Sequence, residues 1–332
     1  MIPVPPFAYG GIERIVDSLL REYRAAGHTV ALLAHPASTS PADARFAWPA
    51  SAPGTLRNAL ALYRAARRFR PDVIHSFSRL AYLLPVLLSQ QAAVMSYQRH
   101  TGGPQVTWAA RLGGRTLRFT GCSEFICQMG RSAGGEWQAI PNFVELEKFT
   151  FEPSVPPDAP LVFLSRLDDV KGPDVAIAIA RSAKRRLILA GNRDESGPQR
   201  AFFDREIAPH LGRDGIEWIG EVDDVAKNNL LGRAAALLVP IRWDEPFGIV
   251  FAEALACGTP VISSPRGSLP EIVEPGRTGF LIESVEQGVA AVSRLSSLDR
   301  HACRQTVEQR FTSAAIARAY LHLFSSLSNG RN

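Results

Sequence analysis

The thirty residues from Ala235 to Ser264 constrain this chain more than any others, because they set four backbone demands in a row. Ala236-Leu237-Leu238-Val239 is an apolar run of strand length that stops at Pro240, and such a run reads as a buried strand. A polar loop follows, Arg242-Trp243-Asp244-Glu245. Pro246 then stands where a helix can open, since its missing N–H leaves nothing unsatisfied there. Ala254-Leu255-Ala256 carries the helix to Gly258, a residue suited to end it, and Pro260-Val261-Ile262 begins the next strand. The unit is strand–loop–helix–strand, with Glu245 at the helix mouth and Glu253 inside. On a helix running through both, eight residues rise about 12 Å and the two faces differ by about 80°. The mouth offers free N–H groups and a positive dipole end, which suit an anion such as a diphosphate. A solvated helix with two unrelated glutamates is the plainer reading. The Pro-Phe-Gly insert and the apolar strand before it argue against that.

The rest of the chain alternates in the same way. Ile12, Ile15, Val16, Leu19, Leu20 and Tyr23 recur at helical spacing after Gly10-Gly11, Gly27 ends that helix, and Thr29–Ala34 reads as a strand. A Gly-Gly pair at a helix start lets backbone approach a ligand closely. An Arg-rich helix ends near Phe69, and strands follow at 72–77, 92–97 and 117–122. His100 lies just past the second of these, where α/β sheets place ligand groups; His75, within the first, competes with it and reads as structural. Phe151–Pro160 holds four prolines in ten residues, a semi-rigid linker and the best domain boundary. Leu161–Ser165, Leu187–Ala190 and Gly279–Ile282 complete a second set of strands. Strands alternating with helices predict α/β architecture with parallel, doubly wound sheets. A length of 332 residues, 46% hydrophobic and 21% charged, accommodates two such domains.

The segment Glu245-Pro-Phe-Gly-Ile-Val-Phe-Ala-Glu253-Ala-Leu-Ala-Cys-Gly-Thr-Pro-Val-Ile262 resembles the E-x7-E segment of the retaining glycosyltransferases of family 4 (glycosyl transferases group 1), which have the GT-B fold. Arg166-Leu167-Asp-Asp-Val-Lys171-Gly172 matches their R-L-x-x-x-K-G segment throughout. The resemblance implies two Rossmann-like domains, a GT-B pair: 1–152 on the acceptor side, 153–311 for the nucleotide-sugar donor, and a helix at 312–332 that crosses back to the first. It implies that Glu253 holds ribose hydroxyls and Glu245 the transferred sugar. Phe247, Gly248 and Ile249 would present backbone N–H groups to the diphosphate, while Arg166 and Lys171 clamp it. Glu221 and Val222 fall in the base-pocket segment. Gly10 and Gly11 would face the diphosphate and sugar, with His100 near the sugar. Family members also place a full strand ahead of the glycine loop. Here nine residues precede Gly10, three of them proline, so that first strand is short or missing, or the start lies upstream.

The implied activity is retaining transfer of a sugar from a UDP-, GDP- or ADP-sugar to an acceptor hydroxyl, with no metal or other cofactor. Asp-x-Asp, which holds a divalent cation in transferases of the other common fold, is absent. A GT-B epimerase would share the donor site but needs paired acid–base carboxylates in the first half, which are not apparent. A non-catalytic nucleotide-sugar-binding partner protein is the other alternative. Charge is uneven, with 16 Lys+Arg against 9 Asp+Glu in residues 1–150 and 21 against 23 beyond. The basic first half is either a solvated helix face or a surface that suits peripheral contact with an anionic membrane or an acidic acceptor, and no nucleic-acid motif accompanies it. The acceptor is a small molecule, lipid-linked group or glycan; the 33 Arg against 4 Lys point to a GC-rich bacterial genome and so to cell-envelope glycan, glycolipid or natural product. The apolar run Leu80–Leu88 is too short to span a bilayer, and no secretory pattern opens the chain. Four cysteines without metal spacing suit a reducing cytoplasm.

Overall fold

The computed structural model describes residues 2–7, 10–49 and 54–329. The chain forms two compact units, Met1–Phe143 with Ser313–Asn332, and Val144–Thr312. In chain order the first unit holds α1 (Gly11–Ala25), β1 (Ala31–Ala34), β2 (Ala44–Ala47), α2 (Thr55–Phe69), β3 (Ile74–Ser76), α3 (Leu84–Leu88), β4 (Ala93–Tyr97), α4 (Pro104–Gly113), β5 (Leu117–Gly121), α5 (Glu124–Arg131) and β6 (Trp137–Ala139). The second unit holds β7 (Leu161–Leu164), α6 (Pro173–Ser182), β8 (Leu187–Ala190), α7 (Gly197–Phe202), β9 (Ile216–Trp218), α8 (Asp224–Gly232), β10 (Ala236–Val239), α9 (Ile249–Ala256), β11 (Val261–Ser263), α10 (Leu269–Ile272), β12 (Gly279–Leu281), α11 (Val285–Ser293) and α12 (Arg300–Arg310). The last helix, α13 (Ser313–Asn329), returns to the first unit.

Among the described residues every strand pair is parallel. The first unit contains two separate sheets, β1-β2 and β3-β4-β5-β6, whereas the second has one six-stranded sheet in the order β12-β11-β10-β7-β8-β9. Parallel strands buried on both faces read as continuous apolar runs; all four residues of β7 and of β10 are buried. No strand precedes α1 among the described residues. Sequence reasoning missed β2, β6 and β9, strands of three or four residues with one or no buried side chain, and the helices α4, α8, α11 and α12.

α13 covers a buried polar network. His75 Nε2 lies 2.7 Å from Ser96 Oγ, which is 2.6 Å from Thr120 Oγ1 and 3.2 Å from Tyr320 Oη. His75 Nδ1 faces Tyr23 Oη at 3.4 Å, and its ring packs on those of Phe77, Tyr320 and Phe324. The imidazole is thus structural, as its position in a strand suggested.

The Pro-rich segment expected to be a linker is fastened to the second unit. Glu152 N donates to Cys257 O at 3.1 Å, and Arg300 Nε donates to Glu152 O at 2.7 Å. The division therefore falls between Phe143 and Val144, nine residues before the expected 152, and the closing helix opens at Ser313 rather than 312. Proline limits the conformations of a segment, and it does not prevent the remaining carbonyls from accepting hydrogen bonds. Arg300 is buried and donates further to Gly232 O (2.8 Å), Ala234 O (2.9 Å), Cys257 O (3.4 Å) and Thr259 Oγ1 (2.9 Å). Arg304 Nη1 donates to Ala256 O and Phe149 O, both at 2.9 Å.

Burial pushes the His75 imidazole down to about 3. An unfolded histidine takes up a proton near about 6.5, so acidification from neutral pH favours the unfolded chain before the folded one can be protonated. Between pH 7 and pH 5 the native protein should lose more Tm than a His75→Gln variant; equal losses in thermal melts would remove His75 as the cause.

Candidate functional site

A parallel sheet sends the carboxyl ends of all its strands to one edge, and ligands bind in crevices along that edge. In the second unit the loops after β7, β8, β9, β10 and β11 meet there. The loop after β7 carries Arg166, Asp168 and Lys171, and the loop after β10 carries Trp243, Asp244 and Glu245. The two loops are laced together. Arg242 N donates to Val170 O at 2.8 Å, and the Arg242 guanidinium makes a two-pronged pair with Asp174, one contact at 2.8 Å. The Asp174 hydrogen bond holds the Arg242 pKa above its ordinary value, against some loss of solvent.

Lys171 and Glu245, both named from the sequence, pair with each other. Lys171 Nζ donates to Glu245 Oε2 at 2.6 Å, and each side chain is 13% exposed. Trp243 Nε1 donates to the same oxygen at 2.9 Å, and Lys171 Nζ sits 4.6 Å from the Trp243 ring centre. The three form a closed set: the indole edge binds the anion while its face receives the cation. Both donors use Oε2, so Oε1 keeps its lone pairs for another donor. Arg166 is 60% exposed and bridges to Asp168 Oδ2 at 2.8 Å. Burial raises the Asp168 pKa, and the nearby Arg166 and Lys171 cations pull it back. The other oxygen, Asp168 Oδ1, is buried without a hydrogen-bond partner.

Glu253 has a lysine of its own. Lys227 Nζ, on α8, donates to Glu253 Oε1 at 2.6 Å and lies 3.3 Å from Asp224. Burial alone would lower the Lys227 pKa, yet the charges and hydrogen bonds of Glu253 and Asp224 raise it above the ordinary lysine value.

The helix expected to open at Pro246 opens instead at Ile249. Gly248 takes φ 77° and ψ 74°, a left-handed conformation that no right-handed helix passes through. A Cβ there would fall 2.6 Å from Phe251 Cδ2. Glu245 therefore stands in the loop and Glu253 in the second turn, and the straight 12 Å helical spacing does not describe them. Phe247 is buried, 5.7 Å from the Phe311 ring, and anchors the turn. Ile249 follows Gly248 at the helix start, where the first N–H groups have no intrahelical acceptor.

A third loop holds Glu245 from behind. Ser268 N donates to Glu245 O at 2.9 Å, and Ser268 Oγ donates to Phe247 O at 2.8 Å. Gly267, at φ +56°, lies so close that a Cβ would be 2.3 Å from Glu245 O and 2.4 Å from Glu245 N. Glu221 and Val222 lie beyond β9, at the same strand ends, and Glu221 is exposed. Gly10, Gly11 and His100 belong to the first unit. Gly10 caps α1 and His100 is exposed in the loop after β4, with its ring 5.8 Å from that of Phe125. Among the described residues no group of three or more His, Cys, Asp or Glu is placed to hold a metal ion.

Sequence reasoning missed Trp243, Lys227, Gly267 and Ser268. One signal was available. The chain uses 33 Arg but only 4 Lys, and two of those four, Lys171 and Lys227, pair with the two glutamates of the E-x7-E segment.

Comparison with known proteins adds the following. The family model for Glycosyltransferase Family 4 matches residues 9–148, and that for Glycosyl transferases group 1 matches residues 147–310. The chain is 26% identical to a glycogen synthase of Mycobacterium tuberculosis over 93% of its own length and 88% of the relative's. Among solved structures it resembles AviGT4, a glycosyltransferase involved in avilamycin A biosynthesis, with 26% identity, TM-score 0.71 and coverage of 99% and 93% of the two chains. It also shares the fold of Anabaena Alr3699/HepE, crystallised with UDP-glucose, with 19% identity, TM-score 0.71 and coverage of 96% and 97%.

Gly267→Ala should destabilise the protein by about 1–3 kcal/mol, because the added methyl meets the Glu245 backbone in a left-handed conformation. Urea denaturation against wild type measures this; an unchanged midpoint would show that the loop yields freely.

Proposed function

Since the chain belongs to the glycosyl transferases group 1, with a Glycosyltransferase Family 4 segment ahead of that region, we propose that it moves a sugar from a nucleotide diphosphate sugar to an acceptor hydroxyl with retention at the anomeric carbon. The observation that carries this reading is the pair of lysine–glutamate bridges at the carboxyl edge of the second sheet. Glu245 and Glu253 satisfy Lys171 and Lys227, which would otherwise be poorly hydrated, uncompensated cations. A diphosphate arriving beside Arg166 and Lys171 supplies competing negative charge. It draws Lys171 away from Glu245 and leaves that carboxylate to accept hydrogen bonds from the sugar hydroxyls. Glu253 receives the ribose hydroxyls by the same logic, and the first N–H groups of α9, from Ile249 onward, face the diphosphate.

In the transfer step the acceptor oxygen bonds to the anomeric carbon on the face that the diphosphate leaves. The carbon–oxygen bond to phosphate breaks with its electron pair going to the diphosphate, and the acceptor proton passes to a departing phosphate oxygen. Arg166 and Lys171 stabilise the charge as it grows there, the electrostatic effect that contributes most in such steps. No enzymic nucleophile is required, so Glu245 orients the sugar and forms no bond to it.

The acceptor side bears on the membrane. α3 packs against both α2 and α4, so the three helices lie side by side. Their outer surfaces expose Leu56, Leu60, Leu84, Leu88 and Trp108, and the same α2 surface carries Arg64, Arg67 and Arg68. Exposed apolar residues among arginines match an anionic lipid surface, each cation contributing about 1 kcal/mol there. Among the described residues no helix is long and apolar enough to cross a membrane. The proposed place of action is the cytoplasmic face.

Binding of UDP-, GDP- and ADP-sugars is to be measured by calorimetry with EDTA present. One nucleotide should bind, and Glu253→Ala should abolish it; binding only after a divalent metal is restored would refute the metal-free scheme. Lys171→Ala should lower turnover more than tenfold at saturating donor, and unchanged turnover would remove Lys171 from the clamp. Co-sedimentation with phosphatidylglycerol vesicles should fall several-fold for Leu60→Glu with Leu88→Glu, and equal sedimentation would move the contact elsewhere.

A further inference from the structure

Asp168 stands where an aspartate commonly caps a turn, and it does not cap. It immediately precedes the short turn Asp169–Lys171 in an extended conformation, and its side chain accepts no hydrogen bond from that turn. The carboxylate lies against Arg166 instead, with Oδ2 at 2.8 Å from Nη2, and only 8% of the side chain is exposed. Oδ1 is buried with no hydrogen-bond partner. An ionised carboxylate can accept about four hydrogen bonds, so this one is far from satisfied. Arg166 supplies most of the compensation for its charge, and Arg166 is an exposed side chain that can turn away without opening the core.

The other charged groups around Asp168 are engaged elsewhere or repel it. Lys171 Nζ is held by Glu245 Oε2 at 2.6 Å and by the face of Trp243. Asp169 exchanges hydrogen bonds with Gln199 of α7: its N donates to Oε1 at 3.0 Å, and its Oδ1 accepts from Nε2 at 2.9 Å. From the loop after β10, Arg242 Nη1 donates to the Asp169 carbonyl at 2.8 Å. From the loop after β8, exposed Asp194 adds negative charge. Burial raises the Asp168 pKa most, Arg166 and then Lys171 pull it down, and Asp169 and Asp194 push it up again.

Two anions therefore compete for one guanidinium. A diphosphate beside Arg166 takes over its N–H groups and brings further negative charge towards Asp168. A buried carboxylate deprived of its cation costs less neutral than charged. We propose that Asp168 is a positioning residue of the clamp: it holds Arg166 until the diphosphate of the donor takes that side chain over, and it then takes up a proton from solvent. Donor binding is in this way coupled to the uptake of one proton. This rests on the clamp role given to Arg166 under the proposed function.

The sign follows from the linkage. The donor complex has the higher Asp168 pKa and so binds more protons than the protein alone. Donor affinity rises as pH falls through the window between the two pKa values, by up to about tenfold per pH unit, and levels off below it.

The proton count is read by calorimetry between pH 5 and pH 8, with UDP-, GDP- and ADP-glucose in MES and in imidazole, buffers of unequal ionisation enthalpy. Both phosphates of these donors are doubly esterified and do not titrate there, so the proton counted belongs to the protein. Uptake should approach one proton for the wild type and for Arg166→Lys, and should vanish for Asp168→Asn. No uptake by the wild type anywhere in the range, or equal uptake by Asp168→Asn, would overturn the proposal. A second arm needs no donor and keeps Asp168 in place. In Arg166→Gln the infrared spectrum at neutral pH should show a protonated carboxyl stretch that is missing from the wild type and from Arg166→Gln with Asp168→Asn. A spectrum without that band would overturn the proposal equally. If no nucleotide sugar binds, the transfer reading fails, and the infrared arm still decides whether Asp168 gains a proton when its guanidinium is removed.

Discussion

The second unit depends on one buried cation. Arg300 reaches carbonyls from the Pro-rich segment, from the turn before β10 and from the turn after α9, together with the Thr259 hydroxyl. Burial lowers its pKa, but a guanidinium stays protonated and has five N–H donors to satisfy, and here carbonyls and a hydroxyl receive them. Arg304 adds a hydrogen bond to Ala256 O, one of the last carbonyls of α9. Two cations therefore stand at the negative end of the helix that carries Glu253. Gly267 and Ser268 hold the turn at its other end. A short, apolar helix is in this way fixed at both ends, and the two glutamates keep their separation through the fixed backbone.

Each shielded carboxylate of the segment is paired with a lysine, and compact ammonium groups on flexible stems are more easily redirected than a two-pronged arginine pair such as Arg242–Asp174. Trp243 limits the movement of Lys171 by offering its ring face.

Much of this was legible before the structure. The buried strand at 236–239, the following loop and helix, and the next strand at 261–263 follow from an apolar run punctuated by proline and glycine. The R-L-x-x-x-K-G match placed Arg166 and Lys171 in one loop. Other features depend on tertiary contact and leave no local mark. Pro246 is a permissible first helical residue, but the left-handed turn at Gly248 is held by Ser268 and Gly267, which are distant in sequence. The Lys171–Glu245 and Lys227–Glu253 pairs join residues 74 and 26 positions apart. The prolines of 151–160 do mark a segment without helix or strand. That it belongs to the second unit depends on Arg300, nearly 150 residues further on.

The position of α13 has a consequence for synthesis. Tyr320 bonds to Ser96 across 224 residues, and the helix that carries it is made only after the whole second unit has been synthesised. Until then the Ser96 and Thr120 hydroxyls and the His75 ring lack their cover, and nascent domains otherwise fold in the order they emerge. The second unit, continuous from Val144 to Thr312, is free to fold on the growing chain, while the first must wait for its last helix. During translation the amino-terminal half is thus the later of the two to mature, and it is the half on which a holding chaperone has something to shelter.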